Sequence, residues 1–175
     1  AIFGDGSNRG GVSGLWWTLE RAWNRPFSAL STDVLNKAVD LAKFDALLVP
    51  AFVGARPTDQ LKEWVRNGGR LVVLDGEGWA TSSFGSLAPS SADTRELPGS
   101  LFRAVLDRRL PASYGYPEGE IAVPIGGGPY YNAPKTGGAA VRLSDDKEGK
   151  LLSGWACPDD PEKNLAGTVL VEDVP

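Results

Sequence analysis

The sequence predicts an α/β protein built on a mostly parallel central sheet with helices on both faces, and an irregular, strand-rich C-terminal half. Two observations carry this. Strand-like and helix-like segments alternate through the first half of the chain in the order βαβαβαβ, and the shortest route between such strands is a parallel sheet covered by its own crossovers. The apolar runs are also short and end in loops, as strands buried on both faces do. The length of 175 residues, with 42% hydrophobic and 23% charged residues, fits a single domain with a sizeable core.

Ala1, Ile2 and Phe3 form a short apolar run ahead of a glycine-rich loop over residues 4–11. Leu15, Trp16, Leu19 and Trp23 recur at helical spacing, so residues 15–23 read as a helix, stopped by Arg25-Pro26. Residues 27–30 read as a second strand. Ser31-Thr32-Asp33 then offers cap chemistry for a short helix through Leu41. Residues 46–49 are a buried-strand signal. Pro57-Thr58-Asp59 opens the next helix, Leu61, Trp64 and Val65 form its apolar stripe, and Asn67-Gly68-Gly69 closes it as a glycine C-cap. Residues 70–74 are the clearest strand, followed by the turn Asp75-Gly76-Glu77-Gly78. Residues 80–100 are rich in Ser, Ala and Thr and read as an irregular excursion. Residues 101–106, 121–125, 139–143 and 168–174 read as strands, with a polar turn over residues 145–149.

Composition excludes several function classes. The formal net charge is −4 and no basic stripe exists, which argues against a nucleic-acid partner. The chain has no His, so it holds neither a Ser-His-Asp triad, nor a Cys-His pair, nor a His-ligated zinc. Its single Cys, Cys157, excludes an internal disulfide and a thiolate zinc cluster. The acids around Cys157 would raise its pKa, so it reads as inert. No apolar run is long enough to span a bilayer, and neither a signal peptide nor an Asn-x-Ser/Thr sequon is present. The absence of any Met, and the end on Val174-Pro175 just after a strand, lead us to expect a fragment of a longer chain.

In an open parallel sheet, sites gather at the carboxyl ends of the strands. Two loops qualify. The run from Gly6 to Ser13 fits the frame of a phosphate-binding loop, but Val12 stands where that loop needs Lys, and Arg9 breaks the dinucleotide frame GxGxxG. The other loop presents Asp75 and Glu77, with Asp5 across from them. Three carboxylates at adjacent strand ends can hold Mg²⁺ and position a phosphate or a water. They can equally be solvated loop acids or partners for Arg9 and Arg25. Trp16, Trp23 and Trp64 sit at core spacing. Trp79, Tyr130 and Tyr131 lie in loops, where they either stack on a ligand or close over the sheet edge.

Four stretches carry a family resemblance: residues 44–50, residues 61–75, residues 97–102 with 111–115, and residues 151–155 leading to 165–167 and 169–175. In this order they resemble a class I glutamine amidotransferase-like domain of the kind appended to bacterial M14-type zinc carboxypeptidases. The resemblance implies a flavodoxin-like three-layer sandwich. In active relatives a nucleophilic Cys sits in a sharp Gly-x-Cys-x-Gly turn after a central strand. The matching turn here, Asp75-Gly76-Glu77-Gly78, has no Cys, and without His the Cys-His-Glu triad cannot be completed. The resemblance therefore implies a degenerate domain, non-catalytic in itself, serving as a structural or ligand-binding accessory to a zinc carboxypeptidase-like protein.

On that reading this chain holds no cofactor, and zinc belongs to a separate peptidase domain of the same parent chain. A peptide or cell-wall fragment is a possible ligand, and export to the periplasm or beyond is implied. A strand-end mouth would be lined by Asp5, Ser7, Asn8, Asp75, Glu77 and Trp79. The competing reading is a small metal-dependent hydrolase or phosphoryl-transfer enzyme using Asp5, Asp75 and Glu77.

Overall fold

A computed structural model describes residues 1–3, 9–31, 39–50, 58–74, 99–126, 131–132, 138–146, 150–155 and 169–173. The chain divides into two compact units, residues 1–84 and 85–175.

The first unit carries a four-stranded parallel sheet of β1 (Ile2–Phe3), β2 (Ala29–Leu30), β3 (Ala46–Val49) and β4 (Arg70–Val73), in the order β2-β1-β3-β4. The β3–β4 register runs from Ala46 opposite Arg70 to Val49 opposite Val73. Leu47 and Val49 are fully buried on one face. Beneath them lies Leu61, also fully buried, from α2 (Asp59–Arg66). Leu41 completes the cluster, and Trp64, Leu71, Val73 and Phe44 pack at its margin.

Helix α2 is specified at both ends. The Thr58 hydroxyl accepts from the Leu61 N–H at 3.2 Å, satisfying one of the orphan donors of the first turn. At the other end Gly68 takes φ +95°, its N–H reaches Val65 O, and the Gly69 N–H reaches Trp64 O. This pair of bonds is a Schellman closure. Gly69 has a second reason to lack a side chain: a Cβ there would lie 2.2 Å from the Trp64 ring. Gln60 Nε2 donates to Val39 O at 2.7 Å, fastening α2 to the turn that leads into β3.

Helix α1 (Arg9–Trp17) begins earlier than its apolar spacing predicts, since Arg9, Gly10 and Gly11 are helical rather than part of the glycine-rich loop. Each helical Gly costs only about 1 kcal/mol relative to Ala, which the surrounding fold overrides. The helix then widens into a π segment, Thr18–Ala22. The Thr18 hydroxyl donates to Gly14 O at 2.9 Å and competes for a carbonyl of the helical ladder. Downstream the bonds lengthen by a residue or more, Trp23 N–H to Thr18 O and Arg25 N–H to Leu19 O. Asn24, with φ 48°, turns the chain out before Pro26. This widening breaks the 3.6-residue period. Trp23, which follows the π segment, is 64% exposed, and Trp16, in the regular helix before it, is exposed as well, although both were expected in the core. Trp16 instead meets Phe27 edge-on at 4.8 Å and donates from Nε1 to Glu20 at 2.5 Å.

Residues 32–38 of the expected helix through Leu41 lie outside the described residues. Its end, Leu41–Lys43, is a 3₁₀ turn capped by the Asp40 carboxylate, which accepts from the Ala42 N–H.

The second unit carries β5 (Ser100–Leu106), β6 (Glu120–Ile125), β7 (Gly138–Leu143), β8 (Leu151–Ser153) and β9 (Val169–Asp173). The order is β6-β5-β7-β9, with β8 also paired to β5, and every pairing is antiparallel. Burial alternates along β5: Ser100, Phe102, Ala104 and Leu106 face inward, while Leu101, Arg103 and Val105 face outward. Phe102 pairs with Val123, and Ala104 with Ile121 and Leu143. One face thus gathers Phe102, Ala104, Leu106, Ile125, Val141 and Leu143 into a second core. On the outer face Arg103 pairs with Glu120 at 2.8 Å.

These two sheets correct the expected flavodoxin-like three-layer sandwich with a mostly parallel central sheet. The larger sheet is antiparallel, because its strands follow one another with no helical crossover among the described residues between them. Among the described residues, parallel pairing is confined to four strands of the first unit.

Candidate functional site

The parallel sheet fixes where its two candidate loops originate. Strands β1 and β4 flank β3 and run in the same direction, so the chain leaves both at the same end of the sheet. Two strand spacings separate these exits, about 10 Å. Gly4 and Asp5 follow β1 directly, and Leu74 extends the β4 pairing through its N–H to Val49 O at 2.8 Å before Asp75. That carboxyl-end edge is the place at which open α/β sheets collect ligands. The mouth residues themselves, Asp5, Ser7, Asn8, Asp75, Glu77 and Trp79, lie outside the described residues, as do Tyr130 and Cys157.

What is described narrows the glycine-rich candidate. Gly10, Gly11, Val12 and Ser13 are turns of α1, and Val12 is half-buried. Val12 offers no cation in the place a phosphate-binding Lys would occupy. Among the described residues no group of three or more His, Cys, Asp or Glu is placed to hold a metal ion. No helix among them is long and apolar enough to cross a membrane.

The aromatic residues sort differently from the sequence expectation. Tyr131 is half-buried, its carbonyl accepting from the Val169 N–H at 3.0 Å. Trp17, Tyr114, Tyr116 and Trp155 are exposed. Two of them stand on well-braced backbone. Trp155 is held by Ser100, whose buried hydroxyl accepts from the Trp155 N–H at 2.9 Å and donates to its carbonyl at 2.6 Å. Gly154, with φ +103°, makes that approach possible, since a Cβ would lie 2.9 Å from Ser100 Cα. Tyr114 follows a 3₁₀ turn, Pro111–Ser113, in which the buried Ser113 hydroxyl donates to Leu110 O at 2.8 Å. Burial of Ser100 and Ser113 was not legible in a sequence where hydroxyls favour the surface.

The same connection holds the sharpest electrostatic feature. Arg109 donates from Nε and Nη2 to the two Asp107 oxygens at 2.9 and 2.7 Å, and its backbone N–H reaches Oδ1 at 3.1 Å. The guanidinium, then the backbone N–H, hold the Asp107 carboxyl down to about 2. The pair is local and solvent-facing, so it shapes the turn rather than activating a reactant.

A scan against protein-family models and searches of curated proteins and of solved structures find no match to this chain.

Proposed function

We propose that this chain is a non-catalytic accessory module, structural or ligand-binding, of a zinc carboxypeptidase-like protein, and a degenerate relative of the class I glutamine amidotransferases. The observation that carries this reading is the absence of His from all 175 residues. Glutaminase chemistry of the Cys-His-Glu type needs an imidazole to take the thiol proton, and no other side chain has an unperturbed pKa suited to that task near neutrality. The same absence leaves zinc to a separate peptidase domain. Further support comes from residues 44–50 and 61–75, two stretches of the resemblance, which take in β3, most of α2 and then β4 in consecutive order. The partner is the peptidase domain of the same parent chain, with a peptide or cell-wall fragment as the ligand to try.

The test is a paired assay on the purified chain. Glutamine hydrolysis, followed by ammonia release, is expected at the level of the blank, and dialysis against zinc is expected to leave less than stoichiometric metal. Ammonia release above the blank would remove the non-catalytic reading. Stoichiometric zinc would remove the assignment of the metal to another domain.

A further inference from the structure

We draw no further inference here: the strongest candidate, the exposed Tyr114 and Tyr116 on the braced connection between β5 and β6, is an aromatic surface patch, and nothing in the structure shows what covers it.

Discussion

Single residues fix several local geometries, and each makes a measurable prediction. At Gly69 the Trp64 ring occupies the space a Cβ needs, so Gly69→Ala must displace the ring or the turn. Overpacking of this kind costs about 1–3 kcal/mol, read as a lower urea midpoint at an unchanged m-value. Ser100→Ala removes the bonds that its hydroxyl makes to the Trp155 N–H and carbonyl. The expected loss is about 1–3 kcal/mol, with faster amide exchange at Trp155. Asp107 provides the pH prediction. Its folded pKa of about 2 lies below the ordinary 3.8, so the pairing is fully present above the ordinary value and is lost as pH falls through the folded one. An NMR titration of the Asp107 carboxyl should therefore show its midpoint near 2, and Arg109→Ala should move that midpoint back toward 3.8. Ser100 and Gly154 show why such residues escape sequence reading. Their contact joins positions 54 apart in the chain, and neither belongs to a local pattern.

At the scale of elements, α2 was the most legible. Thr58 at its start and Gly68-Gly69 at its end are short-range signals, and the structure uses both. Thr58→Ala should cost about 1 kcal/mol through the lost cap, while Leu61→Ala, beneath Leu47 and Val49, should cost about 2–5 kcal/mol. Thermal melts of the two variants should rank in that order. Strands β3 to β7 and β9 were legible to within one or two residues, because their apolar runs are bounded by polar or glycine-rich turns. Strand β8, three residues long, is too short to stand out as a run. Helix α1 was the least legible. Its glycines signalled a loop, and its tryptophans signalled a regular amphipathic face. The bond from the Thr18 hydroxyl to Gly14 O, where the helix widens, follows no sequence period.

For the whole molecule, the chain's division of labour lies between two sheets of different kinds. The parallel strands were readable because helices separate them in sequence. The second half offered the opposite signal, strand after strand without an amphipathic helix, which favours antiparallel pairing. The candidate mouth is legible as far as its origins, the exits of β1 and β4 on either side of β3. The accessory reading draws its support from the lack of His. It predicts that millimolar Mg²⁺ leaves the melting temperature unchanged, whereas binding at Asp5, Asp75 and Glu77 would raise it. The most direct test of the central claim is the complete coding sequence from which this chain derives. The account predicts a His-x-x-Glu stretch and a later His upstream, the zinc ligands of a carboxypeptidase domain. A coding sequence that adds only a start Met to these residues would contradict it.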